Sequence, residues 1–169
     1  MSNHSTEQQA SLQALLDKQA ICELKYRYLN ACDDKAPERV AACFAPGPVE
    51  INFGHIGQFA NREDFVAVFV ELGCHDHIVD MHHAQNPLVE ITGSDSARGR
   101  VGLRFHSINT QDKTTVQLSG FYEDEYRRID GEWLISASTF NVCSAFITDY
   151  SSGNDAVVWA GNRMPPQPS

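Results

Sequence analysis

Long apolar runs are missing from this chain. Nowhere do apolar residues approach the ~20 in succession that a bilayer crossing needs, so no spanning helix is expected. Positive charge is also scarce: 13 Lys and Arg stand against 22 Asp and Glu, a formal net charge of −9. That is the wrong sign for a phosphate backbone, and nucleic acid is excluded as an expected partner. Paired cysteines are absent too. Cys22, Cys32, Cys43, Cys74 and Cys143 are odd in number and scattered, with no C-x-x-C pair, and three fall in helix-like segments. A disulfide framework or zinc ribbon has other spacings, so free buried thiols in a reducing compartment are expected. The start, Met1-Ser-Asn-His-Ser-Thr-Glu, has neither the basic nor the apolar region of a signal peptide. The expectation is a soluble, cytoplasmic protein with no membrane association. Dinucleotide, P-loop, serine-hydrolase and HExxH metalloprotease motifs are all lacking as well.

What is present fits one globular domain. A chain of 169 residues that is 42% hydrophobic and 21% charged can bury a sizeable core, and disorder is not expected. Thr6 and Gln9 read as a capping box before a long helix. Leu12, Leu15, Leu16, Ala20, Ile21, Leu24 and Tyr28 recur at three- and four-residue spacing as a core-facing stripe, and the helix should end near Ala31–Asp33. Pro37 suits the first turn of a short second helix through Val40, Ala41 and Phe44, stopped by Pro46-Gly47-Pro48. A strand over Val49–Phe53 and a turn with Gly54 and Gly57 follow. Asn61 then caps a third helix with Phe65, Val66, Phe69 and Leu72 on its apolar side, ended by Gly73.

Beyond this point the period changes from helical to alternating. Leu88–Ile91, Ala97–Ile108, Thr114–Ile129 and Glu132–Val142 read as strands, separated by turns at Gly93-Ser94-Asp95, Gln111-Asp112-Lys113 and Asp130-Gly131. Helices first and long strands afterwards make an α+β order. The expected domain spans residues 1–147, with a tail over 148–169 whose Val157-Val158-Trp159 patch docks on the domain or on a neighbouring subunit.

Two groups of residues could carry chemistry. Tyr28 lies on the apolar stripe, so its ring points inward and its hydroxyl needs a partner; Asp33 follows where that helix ends. A core Tyr and a turn Asp would look the same. The second group is His75, His77, His82 and His83. His75-x-His77 falls in a loop with no carboxylate at ligand spacing, so metal binding is not expected. His82 and His83 open a strand, and neighbours on a strand face opposite sides. One of them must look inward, and Pro87 interrupts the alternation that would say which. An inward His near a carboxylate is a candidate acid/base, or a hydrogen-bonded core residue.

Tyr28-x-x-x-x-Asp33 on the first helix, Met81-His82-x-x-x-Asn86 at the strands, and Gly120-Phe-Tyr-Glu-Asp-Glu-Tyr through Asp130-Gly-Glu-Trp133 together resemble the SnoaL-like branch of the nuclear-transport-factor-2 superfamily. The resemblance spans roughly residues 10–145. It implies three N-terminal helices packed on a strongly curved antiparallel sheet, forming a conical barrel with an internal pocket. A helix Asp paired with a strand His is shared by scytalone dehydratase, bile-acid 7α-dehydratase and lindane dehydrochlorinase. By that resemblance His82, not His83, takes the catalytic position beside Tyr28 and Asp33. Phe105, His106, Tyr122 and Asn141 are implied as substrate-binding residues. Phe105 falls where the bile-acid enzyme has a further Asp, and no counterpart appears for an Arg that some relatives carry on the last strand.

The expected activity is that of a cofactor-independent lyase, a dehydratase acting on a cyclic, largely apolar hydroxy-ketone such as a hydroxysteroid or polyketide-like compound. No metal, nucleotide or flavin is needed. An isomerase, a polyketide cyclase and a non-catalytic ligand-binding or subunit module are the alternatives. A homodimer or homotrimer is expected, because one face of a curved sheet needs cover.

Overall fold

The structure is a computed structural model and describes residues 2–153. Helix α1 runs over Ser2–Asp33, α2 over Pro37–Ala42 and α3 over Arg62–Gly73. Strands β1 (Pro48–Asn52) and β2 (Gln58–Asn61) flank a short 3-10 turn at Gly54–Ile56, and β3 (Ile78–Ile91), β4 (Ser96–Asn109), β5 (Thr114–Ile129) and β6 (Glu132–Asp149) follow α3. The six strands form one sheet in the order β2-β1-β6-β5-β4-β3. All pairings are antiparallel except β1 with β6, which run parallel. The sheet curves around the helices as a cone without closing, and β3 forms the edge against which α1 packs.

The α1 stripe divides in two. Ile21, Leu24 and Tyr28 are buried, whereas Leu12, Leu15 and Leu16 stay 54–64% exposed, so the helix outruns the sheet it packs on. Thr6 lies inside the helix and not at its cap. The other end stops as the sequence suggests. Lys35 adopts a left-handed φ of 52°, the Ala36 N–H bonds to Ala31 O at 3.0 Å, and the Lys35 N–H bonds to Cys32 O at 3.1 Å. This Schellman-type closure leaves Asp33 as the last helical residue. Lys35 then reaches across, donating through Nζ to the carbonyls of His75 and Ile78. That tie fixes the end of α1 against the start of β3.

Pro37 opens α2, and the Asn61 side chain caps α3 by accepting the Asp64 N–H at 2.8 Å. Both follow the expected signals. β3 begins ten residues before the Leu88–Ile91 strand read from the sequence, because its alternation breaks at a bulge. Asn86 takes φ 48°, and the pairing register with β4 shifts between Gln85 and Leu88. Pro87 has no N–H to offer a ladder, which is tolerable on an edge strand. β6 runs past Val142 to Asp149, staying paired with β5 through Thr114–Ser119. A second bulge lets the two strands bend at Gly120, where any Cβ would stand 2.3 Å from Asn141 O.

All five cysteines are free; Cys32 and Cys43 are buried, and Cys143 is exposed. Among the described residues, no helix is long and apolar enough to cross a membrane. The Val157–Trp159 patch lies outside the described residues.

Candidate active site

Strand alternation decides which side chains line the interior. On β3, Ile78, Asp80 and His82 share one face; on β4, Leu103, Phe105 and Ser107; on β5, Val116, Leu118 and Tyr122. With Tyr28 and Cys32 of α1, Phe65, Phe69 and Leu72 of α3 and Phe140 of β6, these residues enclose a cavity of about 400 Å³. That volume suits a small organic ligand, and the lining is mainly aromatic and aliphatic. A wider depression of about 1180 Å³, lined by Glu50, Arg98, Glu125 and Arg127, includes none of the candidate residues.

His82 stands on the cavity wall and Asp33 directly behind it. The Asp33 carboxylate accepts the His82 backbone N–H at 3.0 and 3.1 Å, and its Oδ1 lies 2.6 Å from His82 Nδ1. A carboxylate accepts and cannot donate, so Nδ1 carries the proton. In the neutral imidazole Nε2 then carries the lone pair. Phe105 packs against the imidazole at a 4.6 Å centroid distance. His83 points to the opposite side of the strand and is exposed.

Tyr28 closes the inner end of the cavity. Its ring meets Phe44 edge-on at 5.4 Å and Tyr122 at 6.4 Å, and Tyr122 stacks obliquely on Phe140 at 4.7 Å. Burial pushes both phenols well above the usual tyrosine pKa, with the nearby Cys32 thiol and Asp124 carboxylate acting in the same direction. Both are therefore neutral hydrogen-bond donors at ordinary pH.

Beneath the tyrosines lies a group that the sequence reading did not single out. Lys25 is fully buried, its Nζ 3.4 Å from the Tyr122 ring centre and 2.9 Å from Asp124 Oδ2. Asp124 also accepts from the Tyr126 hydroxyl at 2.9 Å and the Ser138 hydroxyl at 2.6 Å. Burial lowers the Lys25 pKa, and the Asp124 charge pulls part of that shift back. The signal was its place on the stripe: Ile21, Leu24, Lys25 and Tyr28 share one helix face.

The structure thus brings Tyr28, His82, Phe105 and Tyr122 to one cavity, with Asp33 behind His82. Two expected substrate-binding residues lie elsewhere. His106 alternates with Phe105 and faces away from the cavity. Asn141 is likewise turned outward, donating to Glu123 Oε2 at 3.1 Å. Asp80 and Ser107 line the wall and were missed; Asp80 sits two positions before His82, hence on the same face. His75 and His77 stack on each other at 5.2 Å. Among the described residues, no three His, Cys, Asp or Glu side chains gather as a metal site would require.

A cone of curved sheet over three helices, with a side-chain-lined cavity at its centre, defines a member of the nuclear-transport-factor-2-like superfamily. Within it, residues 13–139 match the SnoaL-like domain, and the chain belongs to that family. Solved structures share the fold over nearly their whole length. A scytalone dehydratase-like protein from Novosphingobium aromaticivorans DSM 12444 has a TM-score of 0.71 at 21% identity, covering 91% of this chain and 97% of that one. The type 2 hexachlorocyclohexane dehydrochlorinase LinA gives 0.74 at 18%, covering 92% and 97%. The type 3 form from Novosphingobium barchaimii LL02 gives 0.73 at 19%, covering 82% and 94%. At these identities the likeness is one of fold. The family is one of small-molecule-processing proteins, lyases among them, with isomerase and non-catalytic members beside them.

Proposed function

We propose that this chain is a cofactor-independent lyase of the dehydratase type, removing water from a cyclic, largely apolar hydroxy-ketone, with a hydroxysteroid or polyketide-like ring system as the favoured substrate. The observation that carries the reading is the 2.6 Å Asp33–His82 pair set into the wall of an apolar cavity. A binding-only module has no need of an imidazole held in one tautomer by a carboxylate.

In this reading His82 Nε2 takes the proton from the carbon next to the substrate carbonyl. The electrons of that C–H bond flow into the carbonyl as an enolate. The imidazolium formed is stabilised by the Asp33 carboxylate, which lies 2.6 Å from its Nδ1. Tyr28, and Tyr122 beside it, donate to the carbonyl oxygen where charge develops. Collapse of the enolate then breaks the carbon–hydroxyl bond. The departing hydroxide leaves as water with the proton that His82 has taken up. The apolar walls of Phe65, Phe105, Leu118 and Phe140 strengthen each of these interactions.

The test is turnover of a panel of cyclic hydroxy-ketones followed by mass spectrometry. Loss of one water from the product is expected. An unchanged product mass with a shifted double bond or a new ring would replace this reading with an isomerase or cyclase. Assembly into a dimer or trimer is proposed alongside. The exposed Leu12, Leu15 and Leu16 of α1 and Phe146 and Ile147 of β6 are apolar surfaces that an assembly would cover. Light scattering on the purified chain decides it.

A further inference from the structure

The cavity is not apolar from end to end. Asp80 and Ser107 are directly paired across β3 and β4, one layer further along the strands from the His82–Phe105 pair. Both line the cavity, among Ile78, Val116, Phe69 and Leu72. Directly opposed residues on antiparallel strands have Cβ atoms about 5 Å apart, so the carboxylate and the hydroxyl form one polar spot in an otherwise greasy wall.

Asp80 is short of donors. Its Oδ1 is sealed from solvent with no hydrogen-bond partner. None of the hydrogen bonds or ion pairs of the described side chains reaches its Oδ2 either. Lys35 spends its ammonium on the His75 and Ile78 carbonyls. Oδ2 looks across to Gly73 at the end of α3, which adds no side chain to fill the space between them. A partly buried carboxylate without donors is a destabilising feature, and such a group in a native fold calls for an explanation. Ser107 next to it offers a rotatable hydroxyl that can both give and accept.

We propose that Asp80 and Ser107 form a specificity subsite for a hydroxyl on the end of the substrate far from the reacting carbon. The inference rests on reading this cavity as the substrate site, and it narrows the substrate class. Residues two apart on a strand face are separated by about 7 Å, so the hydroxyl sits about that far from the atom that His82 addresses. The ligand is therefore a ring system hydroxylated at both ends: one oxygen is lost in the reaction, and the other is held. The distal hydroxyl donates to Asp80 Oδ2, since Oδ1 is sealed off, and accepts from Ser107. A substrate lacking it leaves the carboxylate unpaired, which disfavours that substrate.

The test is a binding measurement with a matched pair, 6-hydroxy-1-tetralone and 1-tetralone, by calorimetry on the full chain. The hydroxylated ketone is expected to bind about tenfold or more tightly, the size of a hydrogen bond to a charged acceptor. Asp80→Leu should bring the two within about twofold of each other, and Ser107→Ala should narrow the gap in part. Asp80→Asn keeps the volume and an acceptor oxygen and covers the case where the Leu variant fails to fold; it should cut the preference to a few-fold. Equal affinities in the wild type, no binding of either ketone, or a preference that survives Asp80→Leu overturns the proposal. His82→Ala separates this result from the lyase reading. It should keep the binding preference whatever it does to turnover, since the subsite lies one layer away.

Discussion

Asp33 holds His82 at two places at once, accepting its backbone N–H with both carboxylate oxygens and its ring Nδ1–H with one. The backbone bonds satisfy a donor on the free edge of β3, and the ring bond orients the imidazole. One residue thus holds both the backbone and the ring, and the two bonds can be separated by substitution.

Asp33→Asn keeps an acceptor for the backbone but loses the charge and admits the wrong tautomer. His82→Ala removes the proposed base. On a substrate found by the panel, each should lower turnover by roughly 10²–10⁴-fold, with circular dichroism and thermal melting close to wild type. Turnover near wild type in both variants sinks the dyad.

Tyr28 and Tyr122 should act only as neutral donors. Their pKa values are raised, so raising the pH to their ordinary value of 10.0 leaves both protonated in the folded chain. The pH–rate profile is expected to show no loss from phenol ionisation up to that point. Tyr28→Phe should depress turnover more than affinity, because its hydrogen bond strengthens as charge develops.

Lys25→Met strands the Asp124 carboxylate in the core with only the Tyr126 and Ser138 hydroxyls. A loss of about 3–5 kcal/mol is expected from chemical denaturation, the usual cost of removing one partner of a buried pair. The double variant Lys25→Met with Asp124→Asn should recover part of it. A single variant as stable as wild type overturns this reading of the pair.

Asp17 anchors the middle of α1, accepting from Trp133 Nε1 at 3.2 Å and pairing with Arg128 at 2.6 Å. Burial alone would raise its pKa, but hydrogen bonds from Trp133, Arg128 and Gln13 outweigh that, and the net shift is downward from 3.8. A carboxylate depressed on folding contributes stability that is complete above its unfolded pKa and is lost as pH falls through the folded one. Asp17→Asn should therefore lower the melting temperature at pH 7 and reduce the further loss seen below pH 3.8. Parallel pH–melting curves for the two proteins contradict this.

Much of the scaffold was legible because its signals are local. Pro37 at the start of α2, the Asn61 cap of α3, and the turn separating β5 from β6 at Asp130-Gly131 each depend on a few neighbouring residues. The β3 strand was half hidden, since Pro87 and the left-handed Asn86 break its alternation and only pairing with β4 carries it through. The outward turn of His106 follows from strand alternation, since its neighbour Phe105 faces the cavity. The exposure of Leu12, Leu15 and Leu16 was not legible, because periodicity reports which residues share a face and not how far the sheet beneath extends.

The sequence by itself determined an α+β chain with its helices ahead of the long strands and one inward-facing His, consequences of period, caps and turns, but it did not show β2 over Gln58–Asn61. Its resemblance to SnoaL-like proteins singled out His82. What only the tertiary structure decided is proximity: Asp33 against a strand 49 residues later, Lys25 against Asp124, and Asp80 facing Ser107 across a ladder. Those relationships depend on how α1 is tied to the β3 edge and on strand register, which are set by long-range packing that no local window of sequence contains.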